Sequence, residues 1–233
     1  APVRERSVKI AREGYPFAIA GMLLAGTCWT TLRMGVAGAD GLPVMAMTTL
    51  AWMSSALAIF VLWFFRDPEP ALPDDGTLVV SPGQGKIIRI EDVEETTFID
   101  GPAKKISIFL SVFDVHVQRS PVTGTVKQKV YRPGAYAVAW ADKASEGNEM
   151  ASLGIVTDYG KLLVRQIAGL VARRIITDPA EGDQVERGRR FGLIRFGSRV
   201  DLFLPTHWEI LCSVGDRVTV GASVIARQKA VSD

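Results

Sequence analysis

From Pro43 to Phe65 the chain runs 23 residues without a charged side chain. No other feature limits the fold as much, because a helix needs about 20 apolar residues to cross a hydrocarbon core. A second apolar stretch, Tyr15 to Leu32, precedes it. Its 18 residues include Gly21 and Gly26 and close on Thr30-Thr31, at the lower end of the spanning range of about 17 to 25, so it reads as a short span or one arm of a re-entrant hairpin. The whole chain is 48% hydrophobic with mean hydropathy +0.18, yet 22% charged, so the apolar excess is concentrated in these two stretches. A secretory signal has an apolar core of about 7 to 15 residues and then a cleavage site. A longer apolar segment follows here instead, and the pair predicts a retained N-terminal anchor of two helices over residues 1–65.

Arg4, Arg6, Lys9 and Arg12 precede the first stretch, Arg66 follows the second, and the loop around Asp40 carries only Arg33. The positive-inside bias places both flanks in the cytoplasm and the loop outside, with Trp63-Phe64-Phe65 at the interface. Cys28 and Cys212 have neither metal-ligand nor paired spacing, which suits a reducing compartment and gives no metal site. Nucleic acid is not an expected partner.

Residues 66–233 read as one mostly β domain. Short β-branched runs such as Lys86-Ile87-Ile88-Arg89-Ile90 and Ile106 to Phe113 alternate with Gly, Pro and Asp. Helical periodicity is weak, apart from a stretch around Asp142 to Met150. Two internal echoes sharpen this. Gly182-Asp183-Gln184-Val185-Glu186-Arg187-Gly188 matches Gly215-Asp216-Arg217-Val218-Thr219-Val220-Gly221, and Ser81-Pro82-Gly83-Gln84-Gly85 matches Ser120-Pro121-Val122-Thr123-Gly124. In each Gly-Asp copy the glycines supply turns and the valine between them points inward. Such elements resemble those of the barrel-sandwich fold of lipoyl and biotinyl carriers; chance repetition of turn chemistry is the alternative. The fold class is therefore mostly β, a barrel-sandwich-like domain behind a helical anchor.

Two features carry chemistry. His116 lies in Val112-Phe113-Asp114-Val115-His116-Val117-Gln118, where strand alternation puts Asp114, His116 and Gln118 on one face; histidine is the usual general acid or base near neutral pH. A lone strand histidine is, however, more often a packed or solvated side chain. His207, in Pro205-Thr206-His207-Trp208, reads as a structural loop residue. The second feature is Gly197-Ser198 within Arg195-Phe196-Gly197-Ser198-Arg199-Val200, an ordinary turn pair by itself. Flanked by strand-forming residues, it is also a candidate self-cleavage bond.

Taken together, Phe64-Phe65-Arg66-Asp67-Pro68, Ser81 to Lys86, Phe113 to Pro121, Tyr131-Arg132-Pro133-Gly134 and Phe196-Gly197-Ser198-Arg199 closely resemble the short bacterial phosphatidylserine decarboxylases, in order and over nearly the whole chain. The resemblance implies that Ser198 attacks the Gly197 carbonyl with His116 as base. β-Elimination then leaves fragments 1–197 and 198–233, the second beginning with a pyruvoyl group made from Ser198. It also implies decarboxylation of phosphatidylserine to phosphatidylethanolamine with no external cofactor, at a bacterial inner membrane with the catalytic domain cytoplasmic, and it is compatible with a homodimer.

The family pattern has an Asp-Gly shortly after Ser-Pro, whose aspartate looks like the orienting member of an Asp-His-Ser triad. Here Gln84 precedes Gly85. Glutamine can hold an imidazole but cannot stabilise its cation, and the comparable loss in a serine protease costs about 10⁴-fold. Slow or absent self-cleavage is therefore expected. Arg66, Arg173 and Arg174 are candidates for lipid phosphate, with a solvated face or an interface anchor as the simpler reading. Asn148-Glu149 follows the family pattern without an assignable role. The rival readings are a noncatalytic relative and a membrane-tethered lipoyl carrier built on Asp142-Lys143-Ala144. Lys143 precedes the first Gly-Asp copy, whereas a carrier lysine belongs at a hairpin tip between copies.

Overall fold

The computed structural model describes residues 8–35, 41–134, 147–169, 174–195, 197–230. The chain divides into two compact units, Ala1–Glu69 and Pro70–Asp233. In the first, helices α1 (Tyr15–Arg33) and α2 (Leu42–Phe64) are about 28 and 35 Å long at 1.5 Å per residue, and both are long and apolar enough to cross a membrane. They pack through small residues: a methyl group on Gly21 would lie 3.1 Å from Ala58, and Trp29 meets Trp52 edge-on at 5.3 Å. Hydroxyls of Thr27, Thr30, Thr48, Ser54 and Ser55 bond back to carbonyls four residues earlier, which satisfies them where water is absent. Ile19, Leu23, Trp52, Leu57 and Ile59 point outward.

The anchor closes on itself. Strand β1 (Val8–Ile10) pairs with β2 (Arg66–Pro68), and the Ala11 amide donates to the Phe65 carbonyl at 2.8 Å. Both ends of the helical pair therefore lie on one side, and Arg66 to Glu69 belong to the anchor. Charge ends the apolar run at residue 65, and strand pairing continues past it to Pro68.

In the second unit, a fully antiparallel sheet is ordered β11 (Gln184–Val185), β7 (Gly124–Arg132), β8 (Met150–Thr157), β9 (Gly160–Ala168), β13 (Ser198–Pro205), β5 (Gly101–Leu110), β4 (Gly85–Glu95), β15 (Arg217–Val218). Two three-stranded sheets complete it: β10 (Ile175–Thr177), β12 (Arg190–Ile194), β6 (Val117–Arg119), and β14 (Glu209–Ile210), β16 (Val224–Arg227), β3 (Leu78–Val80). The arrangement is one half-unit built twice. β3-β4-β5-β13-β14-β15-β16 repeats as β6-β7-β8-β9-β10-β11-β12, and the two halves meet where β9 pairs with β13.

The two sequence echoes are the corners of these halves, matched bond for bond. Asp183 and Asp216 accept the amides of Ala180 and Ser213 at 2.9 and 2.8 Å. The Gly182 and Gly215 amides donate to Val126 and Ile87, and those of Gly188 and Gly221 to Ser120 and Ser81, all at 2.8 Å. Gly182 and Gly215 take φ of 94° and 102°, where side chains are disfavoured. Shared turn chemistry here reports shared structure rather than chance.

The halves are not consecutive. In the second, β8 turns directly into β9, with Thr157 opposite Gly160. In the first, the equivalent pairing joins Leu110 to Ser198, and the whole second half occupies the turn between them. Val200, Leu202 and Leu204 of β13 enter the core with Ile106, Ile108 and Leu162, each contributing about 1.5–3 kcal/mol by burial. On the opposite face Arg199 pairs with Asp201 at 2.9 Å, both buried, and Arg165 meets Glu95 at 3.5 Å.

Two substitutions test these supports. A methyl group on Gly124 would run into the Val156 carbonyl, so Gly124→Ala should cost about 1–3 kcal/mol in denaturant unfolding, whereas Gly101→Ala, with open space beside it, should change stability by less than about 0.5 kcal/mol. Burial alone would raise the Glu95 carboxyl, but the Thr97 hydroxyl and the amides of Ile99, Phe98 and Thr97 hold it below its ordinary value. Its contribution is therefore present above the unfolded glutamate range and is lost as pH falls through the lower folded value. Glu95→Gln should destabilise by about 1–3 kcal/mol at neutral pH, and the difference should vanish in acid.

Candidate active site

The insertion of one half into the other has two crossings, and each carries one of the residues singled out for chemistry. The outward crossing, from Leu110 to Val117, contains His116; the return, from Ile194 to Ser198, contains Gly197. Because Leu110 pairs with Ser198 and Leu193 with Val117, the crossings run side by side. Local pattern alone could not have joined His116 to residues so distant in the chain.

The outward crossing opens with a tight turn. The Asp114 carboxylate accepts the Ser111 amide at 2.9 Å and the Ser111 hydroxyl at 2.7 Å, and its other oxygen takes Arg217 Nη2 at 2.9 Å. The strand begins only at Val117, so Asp114 does not share a strand face with His116 and Gln118: local capping has replaced alternation. The turn instead aims the Asp114 carbonyl at His116 Nδ1, 2.9 Å away.

The Gly197 amide lies 3.1 Å from His116 Nε2. A carbonyl can only accept and an amide N–H can only donate. His116 must therefore carry its proton on Nδ1 and offer the Nε2 lone pair. That is the tautomer of a neutral general base, and Asp114 and Gly197 fix it. His116 and Ser198 are both fully buried. Gly197 has φ of 69°, a left-handed conformation that favours glycine, and a Cβ built on it would stand 3.8 Å from Val112. The Ser198 hydroxyl has no hydrogen-bond partner among the described residues.

Gln84 is half-buried in the loop before β4. A side chain at the adjacent Gly83 would meet Leu110 and Val200, which flank the position of Ser198. Among the described residues the Gln84 side chain makes no hydrogen bond, and none joins it to His116. Arg66 belongs to the anchor unit, where it donates to the Trp63 carbonyl at 2.8 Å and stacks 3.9 Å from the Trp63 ring. Arg174 is exposed, its carbonyl 3.4 Å from the Arg195 amide. Arg173 and Lys143 lie outside the described residues. His207 sits beyond the other end of β13 against the Tyr159 carbonyl at 3.3 Å.

Asn148 and Glu149, which had no role from sequence, extend the Ser198 row. Ser198 pairs with Ala168; Asn148 Nδ2 donates to the Ala168 carbonyl at 2.7 Å, and the Ala168 amide to the Glu149 carbonyl at 3.0 Å. Glu149 is only 3% exposed. One of its oxygens accepts the Tyr131 hydroxyl at 3.0 Å, and the other has no partner among the described residues. The signal was a polar pair at the entrance to an apolar strand, which by itself says nothing of what lies across the sheet.

The chain's likeness to known proteins covers this whole arrangement. The family described as phosphatidylserine decarboxylase matches residues 57–226, spanning Gln84, His116, Gly197 and Ser198. The chain is 48% identical over 219 residues to the phosphatidylserine decarboxylase proenzyme of Symbiobacterium thermophilum, covering 94% of this chain and 95% of that one. Against the proenzyme of Desulfotalea psychrophila it is 41% identical over 221 residues, covering 94% and 97%. Against that of Salinibacter ruber it is 48% identical over 171 residues, covering 72% and 75%. With a family match over most of its length and relatives of this closeness along nearly all of it, the chain belongs to the phosphatidylserine decarboxylase family.

Proposed function

We propose that the protein decarboxylates phosphatidylserine to phosphatidylethanolamine after cutting its own backbone between Gly197 and Ser198. The observation that carries this is an imidazole whose Nε2 accepts from the Gly197 amide, beside a buried serine hydroxyl with no competing partner among the described residues. Ser198 Oγ adds to the Gly197 carbonyl carbon while His116 Nε2 takes the hydroxyl proton, and the peptide bond becomes an ester. Removal of the Ser198 α-proton breaks the Cβ–Oγ bond and frees Gly197 as a carboxylate. Water then replaces the nitrogen at position 198, which leaves as ammonia.

The residues fit a pyruvoyl group at position 198: the site is buried, the preceding residue is a glycine, and β13 is held from both sides. Such a group supplies a carbonyl that condenses with the substrate amine and draws electrons as carbon dioxide departs. His116 is placed to return a proton at the carbon that has lost its carboxylate. Arg173 and Arg174 are proposed phosphate contacts of the catalytic unit, and Arg66 is separately proposed as one on the anchor. We place the enzyme at a bacterial inner membrane with its catalytic unit cytoplasmic, and a homodimer is compatible with this reading.

Gln84 sets the pace. The tautomer does not depend on it, because the Asp114 carbonyl holds Nδ1. What Gln84 withholds is negative charge beside the imidazolium that forms when His116 takes the proton.

On denaturing electrophoresis the fresh protein should remain mostly one chain and convert slowly; prompt quantitative appearance of fragments 1–197 and 198–233 would overturn slow processing. Gln84→Asp should accelerate conversion by as much as about 10⁴-fold, read as fragment yield against time. Ser198→Ala should stay a single chain by intact mass at every time point and release no carbon dioxide from phosphatidylserine vesicles. Release by that variant would sink the pyruvoyl mechanism.

A further inference from the structure

The doubled half-unit supplies an internal comparison. The corner from Leu211 to Arg217 is the twin of the corner from Asp178 to Gln184, bonded in the same way. Leu211 stands where its twin has Asp178, Val214 where it has Glu181, and Arg217 where it has Gln184. The backbone constraint is identical at both corners, so the fold does not demand this change of character. One corner is acidic and polar; the other is apolar and cationic.

The apolar corner is the one beside the active site. Val214 is 60% exposed and Leu211 42%. Arg217, 72% exposed along its side chain, reaches Asp114 at 2.9 Å and so joins this corner to the turn that ends at His116. At the tip of that turn Phe113 is 65% exposed, and the preceding residue, Val112, faces Gly197. Exposed Lys86 pairs across the sheet with both Arg217 and Phe109, between the two tips. Of the nearby acids, Asp114 is buried under Arg217, and Asp216 turns back to cap the Ser213 amide at 2.8 Å.

We propose that Phe113, Val214 and Leu211 form a membrane-docking edge of the catalytic unit that enters the interfacial layer of an anionic bilayer, with Lys86 and Arg217 at the level of the lipid phosphates. The occupant follows from chemistry. Apolar tips over exposed cations match acyl chains beneath anionic headgroups. Ser198 is fully buried, so a diacyl lipid must bring its headgroup in through a wall that touches the bilayer, and the Val112-Phe113 turn is such a wall. Burying an aromatic and two aliphatic side chains is favourable by several-fold to more than tenfold each in partitioning.

The proposal rests on the reading that a bilayer lipid is the substrate, but its test needs neither self-cleavage nor turnover. A ketone-bearing non-natural residue carrying a nitroxide is placed at position 113, 214 or 181 of the full chain, leaving Cys28 and Cys212 native, and the protein is reconstituted into phosphatidylcholine vesicles with and without phosphatidylserine. Labels at 113 and 214 should be more accessible to oxygen than to a water-soluble nickel chelate when phosphatidylserine is present. The label at 181, on the twin corner, should read as aqueous. Val214→Glu, which installs the residue the twin already carries, should shift the 113 label toward the aqueous value.

Aqueous readings at both 113 and 214 overturn the proposal. So does low accessibility to both quenchers, which signals cover by protein. Membrane readings at 113 and 214 in a chain that never cleaves or releases carbon dioxide would uphold the docking edge while the catalytic reading fails.

Discussion

The pairing of Leu110 with Ser198 is the constraint on which the rest depends. It closes the first half-unit around the inserted second half, in the place where a two-residue turn closes β8 onto β9. Every feature of the candidate site follows from that closure. The crossings must lie side by side, so a histidine on one and a Gly-Ser bond on the other meet without any local signal. The serine must begin a strand paired on both sides, so it is buried; and the residue before it must bend, which a glycine in a left-handed conformation permits.

The same closure would let the chain persist if it is cut at Gly197-Ser198 as proposed. β13 contributes alternate side chains to the interior and pairs along its length with β5 and β9. The Arg199–Asp201 pair is fixed on its far face within four residues of the cut. Removing one peptide bond at the mouth of this strand would leave the pairing from Arg199 onward in place. The equivalent β8–β9 turn offers no such chemistry, since Gly160, which has no hydroxyl, stands where Ser198 does.

Much of this was legible in sequence, and what was missed shares one cause. The helical pair declares itself by an uncharged run longer than a bilayer needs, and the repeat by two glycine-aspartate corners whose spacing is intrinsic to the turn. Both are local. The exchange of Asp114 from strand face to capping turn and the row from Ser198 through Ala168 to Glu149 each depend on partners across the fold. Arg217 holds Asp114 from 103 positions away. Alternation correctly gave the strands but could not show that a side chain would find a better partner in its own turn.

If Gln84 slows self-cleavage as proposed, function turns on a term that geometry leaves untouched. The imidazole already has the right tautomer, because a backbone carbonyl faces Nδ1 and an amide faces Nε2. To act as a base it must exchange that amide for the serine hydroxyl, giving up a neutral hydrogen bond worth about 1 kcal/mol. It must also become a cation while fully buried. On the proposed reading, a carboxylate at position 84 would oppose that second cost with a full charge, whereas a carbonyl dipole at Nδ1 opposes it only in part. Orientation and charge are supplied by different groups here, so the arrangement can be correctly built around the bond and still be slow to break it.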